Sequence, residues 1–389
     1  MIFKYTFILK LMTNNFKIEI FSFFSGIGFL DFGFEKSSFD IVYINEIFKP
    51  FLEAYRYSRT SLDFKEPKYG YFNGDINQLL TEKSNEFHEI LIKSRKEVEI
   101  IGFIGGPPCP DFSVGGKNKG QNSERGKLSK SYIDLICKEK PDFFLFENVK
   151  GLWRTKIHRQ FYEELKSILH DNGYITSERM INAIEYGVPQ DRDRIILFGC
   201  RKQFFNFSNL KIEYDNSLIK NFPWQDKIIY KKEHILNLNW PKQDNFVENS
   251  IIPIPGGLPL DLTIEFWFKK NNVYDHFNSN DYFKPRSGLV KMQNIMEGDV
   301  SKKSYKRLHR WRYSPTTAYG NNEVHLHPYK TRRLSVSEAL AIQSLPEEFH
   351  LPHQMSLTNK FKAIGNGVPF LAAKSLAETI LLFLEANIK

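Results

Sequence analysis

The chain has 389 residues, 41% of them hydrophobic and 25% charged, with a net charge of +9. This is the composition of a globular protein with a packed core, and it excludes a disordered or collagen-like chain. The three cysteines, Cys109, Cys137 and Cys200, are widely spaced and form no CxxC pair. That pattern argues against a disulfide framework and a thiolate zinc site and suits a reducing cytoplasm. No run is expected to supply the roughly 18 apolar residues of a membrane span.

In chain order, "KIEIFSFF" (17–24) reads as a buried strand and "FLDFGFEKS" after it as a helix. "FDIVYINE" (39–46) reads as a second strand, followed by helical "FKPFLEAYRYS". Further strands are expected at 97–106, 141–149 and 192–200, with helical periodicity at 129–140 and 158–172 between them. Short apolar runs alternating with amphipathic stretches predict an α/β fold, a doubly wound parallel sheet covered on both faces. From about Arg201 to Pro315 this rhythm stops, and "IIPIPGGLPL" (251–260) punctuates a stretch rich in Asn, Lys and aromatics. Helical patterning returns at 335–345, where Ser335 or Ser337 is the expected N-cap, and at 370–386.

Ligands of doubly wound sheets bind beyond the carboxyl ends of the strands. The first strand ends in "FFSGIGF", where Gly26 and Gly28 permit a tight turn and close approach of a ligand. The second ends in Glu46, placed to hold a ribose hydroxyl pair, and Asp75 in "NGDIN" is placed to accept from an adenine amino group. These point to an adenosine-containing cofactor without saying which. "FIGGPPCPDF" (103–112) then carries Cys109 on a loop stiffened by Pro107, Pro108 and Pro110. Glu147 ends the next strand, and Arg192 and Arg194 open the one after; their i, i+2 spacing puts both guanidinium groups on one face, toward a common cleft. A second basic feature lies at 301–334, where Lys302, Lys303, Lys306, Arg307, Arg310, Arg312, Lys330, Arg332 and Arg333 are interleaved with Tyr305, Trp311, Tyr313 and Tyr319. This reads as a surface for a polyanion, with His309, His325 and His327 solvated or facing it rather than binding metal.

The ordered motifs "FSFFSGIGF", "NEI", "GDI", "GGPPCPDFSVGGKNKG", "SERGKLS", "FENVKG", "YGVPQDRDRIILFG", "TRRLSVSEALAIQSLP" and "AIGNGVP" resemble those of the DNA cytosine-5 methyltransferases of bacterial restriction–modification systems. The resemblance implies a Rossmann-like methyltransferase domain from 15–200 and 356–389, and a smaller target-recognition domain from 201–355. It implies S-adenosylmethionine as cofactor, held by Phe24, Gly26, Gly28, Glu46, Ile47, Asp75, Ile76, Pro108, Leu128 and Asn366. Cys109 would be the nucleophile toward carbon 6 of cytosine, activated by nearby arginines. Glu147 would hold the N3/N4 edge of the base and support protonation at N3, while Arg194, with Arg192 nearby, would bind the O2 side or orient the other groups. Ser113, Lys117 and Lys119 on the loop after the nucleophile, with Arg310 and Arg312, would contact the DNA. The base would be flipped out of the duplex, at a cost of a few kcal/mol. Two departures stand out: Ser22 where the family has Asp, and Gly28-Phe29 where it has Gly-Gly. The expected partner is double-stranded DNA, read by a monomer in the bacterial cytoplasm, with a cognate restriction endonuclease acting separately. Two other readings are a tRNA cytosine-5 methyltransferase and a nucleic-acid-binding protein without catalysis.

Overall fold

The computed structural model describes residues 17–108, 124–203, 214–285, 288–302, 304–316, 319 and 324–387, without the side chains of 124 and 125. Cys109, Ser113, Lys117 and Lys119 therefore lie outside the described residues.

In chain order the sheet strands are β1 (Ile18–Phe23), β2 (Asp40–Asn45), β3 (Tyr71–Phe72), β4 (Ile100–Gly105), β5 (Phe143–Val149), β6 (Tyr174–Asn182), β7 (Gln190–Asp191), β8 (Asp193–Arg201), β9 (Tyr214–Asp215) and β10 (Leu218–Ile219). All but β7 join one nine-stranded sheet in the order β3-β2-β1-β4-β5-β8-β6-β10-β9. The helices that cover it are α1 (Phe29–Glu35), α2 (Lys49–Ser61), α3 (Ser84–Arg95), α4 (Glu124–Glu139) and α5 (Lys156–Asp171). Later in the chain come α6 (Ile264–Lys270), α7 (Val336–Ile342), α8 (Leu357–Asn366) and α9 (Phe370–Asn387).

Strand alternation explains the layering. Ile18 and Ile20 of β1, Ile100 and Ile104 of β4, and Phe143 and Leu145 of β5 share one core with Phe32 of α1, Leu52 of α2 and Leu376 of α9. Phe21 and Phe23, Ile101 and Phe103, and Phe144 and Phe146 face the other side, against Phe87 of α3, Tyr132 of α4 and Leu165 of α5. Each central strand is buried on both faces, which is why its sequence is a continuous apolar run.

The expectation of a parallel sheet needs one correction. β8 runs antiparallel to both β5 and β6, and β6 was not anticipated from the sequence. Its stretch "YITSERMIN" carries Ser177, Glu178 and Arg179 at its centre, so it lacks the apolar run of its neighbours. Because of the antiparallel direction the start of β8, not its end, lies at the carboxyl end of β5, bringing Arg194 beside Glu147.

The boundaries at 201 and 355 do not follow the packing. β9 and β10 extend the main sheet, and Val336, Leu340, Phe349 and Leu351 belong to the same core as α1 and α9. Between these segments, the described residues of 220–334 have few regular elements and pack around smaller cores, one of Trp267, Phe268 and Leu308 with Ile342 of α7, and another of Trp240, Leu262 and Tyr313 with Ile184. Residues 357–387 are long and apolar enough to cross a membrane by length and composition, contrary to the sequence expectation. They form two helices, however, and α9 packs so closely on α1 that a Cβ on Gly33 would stand 2.6 Å from Ala373. This is a core helix.

Candidate active site

β1 turns into α1 through Phe24, Gly26 and Gly28, all with positive φ (54°, 59° and 90°). At Gly28 a Cβ would stand 2.6 Å from the Tyr55 ring, whereas above Gly26 there is open space. Glu46, at the end of β2, spans this turn: its carboxylate accepts from the Gly26 amide at 2.9 Å and from the Phe48 amide at 2.8 Å. Burial raises its pKa, and these backbone bonds oppose the rise. Beside it Ile47 is 61% exposed, and the Lys362 ammonium of α8 stands over the Phe48 ring, 5.2 Å from its centre. Asp75 caps the following turn by accepting from the Asn77 amide at 2.9 Å, Ile76 is buried, and Leu128 and Asp75 are half-buried. Pro108 and Asn366 are exposed. A glycine turn under open space, an acid at a strand end and an exposed apolar side chain next to it fit a nucleoside-bearing group.

The two sequence departures have local explanations. Ser22 is buried and donates to Asp31 at 2.8 Å, while Tyr55 donates to the other oxygen of Asp31 at 2.9 Å. Its hydroxyl thus faces the α1–α2 layer rather than a ligand. Phe29 lies under Gly367, where a Cβ would come within 2.2 Å of its ring. The bulk added at 29 is accommodated by the missing side chain at 367.

On the other side of the crevice, Glu147 and Arg194 are diagonal neighbours across the β5–β8 pair, since Val149 lies opposite Arg194 and Glu147 opposite Ile196. Arg194 Nε stands 2.8 Å from Glu147 Oε1 as an ion pair whose angle is not that of a hydrogen bond. Burial raises the Glu147 pKa, opposed by Arg194 and then Arg192. The second oxygen lies against Gly106, where a Cβ would stand 2.8 Å from Oε2. Asn148 Nδ2 donates to the Pro107 carbonyl at 3.3 Å. The end of β5 thereby fixes the first residues of the loop that leads to Cys109.

Arg192 does not take the cleft-facing position expected from its spacing. It shares the Glu147 side of the sheet, as its spacing from Arg194 implied, but it is 1% exposed and does not line an open cleft. Its guanidinium donates to the carbonyls of Gly365 and Gly367 at 2.9 and 3.0 Å. Gln190 and Gln343, two buried amides in the same network, were missed by sequence reasoning; both sit inside quoted motifs, and a polar side chain within an apolar helical run such as "ALAIQSL" was the available signal.

The basic stretch is also reassigned in part. Arg310 is buried, pairing with Glu297 at 2.7 Å and donating to Ser250, so its charge faces inward. Arg307 is fully buried and donates to the carbonyls of Ile295, Met292 and Lys330 at 2.9, 2.6 and 3.1 Å. Arg332 is bidentate to Glu338 at 2.9 and 2.6 Å. These arginines organise an irregular chain by satisfying its backbone. His309, His325 and His327 are buried, not solvated, and burial lowers the pKa of His325 and His327 to about 3. Arg312 is half-buried and lines a cavity of about 130 Å³ with Asp191, His309, Tyr313 and Pro315. Among the described residues no group of three or more His, Cys, Asp or Glu is arranged to hold a metal ion.

Comparison with known proteins gives the family and the fold. The family model for C-5 cytosine-specific DNA methylases matches residues 18–382. The chain is 55% identical over 370 residues to the type II methyltransferase M.NmeDI of Neisseria meningitidis serogroup C, covering 95% of this chain and 84% of that one. It is 29% identical to M.FnuDI of Fusobacterium nucleatum, over 93% and 95% of the two chains. Among solved structures, the S. pombe Dnmt2 methyltransferase superposes with a TM-score of 0.60 at 16% identity, over 95% and 98% of the chains; at that identity the likeness shows the fold. The chain belongs to the C-5 cytosine-specific DNA methylase family and is a DNA cytosine-5 methyltransferase.

Proposed function

We propose that the enzyme is the modification methyltransferase of a type II restriction–modification system, acting as a monomer on a flipped-out cytosine of double-stranded DNA, beside a separate endonuclease. The observation that carries the site assignment is the placement of Glu147: paired with Arg194 and packed on Gly106, three residues before Cys109. Cys109 is the nucleophile in this reading. The two described thiols support it by elimination. Cys200 is fully buried, with its pKa raised by burial, and burial pushes Cys137 up to about 11, so neither supplies thiolate at neutral pH.

The Cys109 thiolate adds to carbon 6, and the electron pair of the C5–C6 bond moves toward carbon 5 and the N3 side of the ring. Glu147, whose pKa burial raises, holds the N3/N4 edge and supplies hydrogen bonding to N3 as charge builds there. Arg194 orients Glu147 and neutralises it between turnovers. Carbon 5 takes the methyl group, whose former bonding pair stays on the donor's sulfur as a neutral thioether; the carbon 5 proton then passes to solvent, its pair re-forms the C5–C6 double bond and the cysteine leaves carbon 6 as thiolate.

The cofactor in this reading is S-adenosylmethionine, which supplies a methyl group on a positively charged sulfur. Glu46 would accept from its ribose, Asp75 from its adenine, and Ile47 and Phe24 would cover its rings; the Gly26–Gly28 turn leaves it room. Arg312 remains a DNA contact in this proposal, as do Ser113, Lys117 and Lys119.

Cys109→Ser is expected to abolish methyl transfer to DNA while leaving DNA affinity within about twofold, since affinity rests on phosphate and groove contacts. Radiolabelled methyl transfer and a gel-shift titration on the same preparation check this. Residual turnover near the wild-type rate would remove Cys109 from the mechanism.

A further inference from the structure

Three carbonyls of the turn Ile364–Gly367 are held by side chains from other parts of the chain. Gln343, fully buried just after α7, donates from Nε2 to the Ile364 carbonyl at 2.6 Å. Arg192 donates to the Gly365 and Gly367 carbonyls at 2.9 and 3.0 Å. Gln190 joins the two, donating to Gln343 Oε1 at 3.3 Å and lying 3.5 Å from Arg192 Nη1. The Gln343 carbonyl also accepts from the Phe370 amide at 2.9 Å, fixing the start of α9.

The carbonyls at a helix end can be satisfied by water alone. Holding them instead with a buried guanidinium and a buried amide, joined by a second buried amide, carries a desolvation cost for each group. What the arrangement secures is position. Residue 366 at this turn is exposed, and Phe29 from the glycine turn fills the space beside Gly367. Arg192 also stands two residues before Arg194 and acts on the charge of Glu147.

We propose that Gln343, through Gln190 and Arg192, is a positioning residue that holds the Asn366 turn in register with the Glu147–Arg194 pair, so that the methyl-donor side and the cytosine side of the crevice keep a fixed relation. This rests on the reading of the crevice as an S-adenosylmethionine site. Gln343 touches neither reacting group; it acts through the turn.

The test uses the full-length enzyme and Gln343→Met, which keeps length and volume but removes both hydrogen-bonding atoms. Titration calorimetry with S-adenosylmethionine is expected to show about tenfold weaker binding, equivalent to the loss of about one net buried hydrogen bond. DNA affinity by gel shift is expected to stay within twofold, and kcat at saturating donor within about threefold. Gln190→Met, which keeps the Gln343–Ile364 bond but cuts the link to Arg192, is expected to weaken donor binding by about threefold, and it carries the test should Gln343→Met fail to fold. Unchanged donor affinity in either folded variant overturns the proposal. So does a parallel loss of donor affinity, DNA affinity and kcat, which is the mark of a general packing role. If the wild-type chain itself binds no S-adenosylmethionine, the cofactor reading fails first and the clamp with it.

Discussion

Glu147 meets Arg194 because two strands run in opposite directions. A parallel neighbour would have carried its first residues to the far edge of the sheet, about 20 Å away for a strand of this length. The pair is buried, so removing the acid leaves an uncompensated guanidinium as well as deleting the hydrogen-bonding partner proposed for the base. Glu147→Ala is expected to lower kcat by about 10²- to 10⁴-fold, the usual range for a positioned acid–base group, with a smaller change in donor affinity. Single-turnover methyl transfer checks this, and a loss below tenfold would take the residue out of the chemistry. The Phe29–Gly367 pair gives a second residue-scale expectation. A methyl group on Gly367 meets the ring at 2.2 Å, so Gly367→Ala is expected to destabilise by about 1–3 kcal/mol, as overpacking does. Adding Phe29→Leu is expected to return part of that loss, since residues in contact are not additive. Denaturant melts of the four chains measure the coupling.

At the scale of elements, most of the sheet was legible because its central strands are buried on both sides. An apolar run such as "IEIFSF" has no other reading when turn residues and amphipathic helices flank it. β6 was not legible, because Ser177, Glu178 and Arg179 make its centre polar; Glu178 is used to receive Tyr162 at 2.7 Å and Lys166 at 3.1 Å from α5. A strand that answers a helix in polar terms does not show the apolar signature. The N-cap of α7 was narrowed to two serines, and Ser335 takes it, in a reciprocal capping box with Glu338. The basic stretch was misread for a related reason. Sequence shows that Arg307, Arg310 and Arg332 are charged but not that the irregular chain around them has many unpaired carbonyls and two buried acids to receive them. The site motifs were legible as a set and in order, whereas the division of labour between Arg192 and Arg194 depends on which carbonyls come near, and that is set by α8 and α9 far along the chain.

Across the whole molecule, the two halves of the crevice are tied through the interior. Beneath the glycine turn Asp31 is fully buried between Ser22 and Tyr55, and burial raises its pKa from 3.8 to about 6, opposed by those two hydrogen bonds. Its sign is set by linkage. The folded state holds this proton more tightly than the unfolded chain, so the folded enzyme loses stability as pH rises from about 4 to about 6, and the cost is complete above that. Two pKa units correspond to about 3 kcal/mol. Asp31→Asn, which cannot ionise, is expected to flatten that part of the profile, so that its melting temperature relative to wild type improves between about pH 4 and pH 6 and stays level above. Melting curves across that range decide it; parallel profiles for the two chains would contradict the assignment. The irregular region contributes to the same unity, since Ser314–Pro315 pairs with Gln190–Asp191 directly before Arg192. A chain segment from the region that would face the DNA is thus hydrogen-bonded to the segment that leads into Arg192 and Arg194.

The most direct test of the account is to trap the enzyme on its substrate. The full-length chain is incubated with S-adenosylmethionine and double-stranded DNA carrying 5-fluorocytosine, in which fluorine in place of the departing proton blocks the release step. The account requires a denaturation-resistant protein–DNA adduct that carries the transferred methyl group, maps to Cys109 and is absent from Cys109→Ser. An adduct through another residue, one formed on fluorinated RNA and not on DNA, or none on DNA that the same preparation methylates, would contradict it.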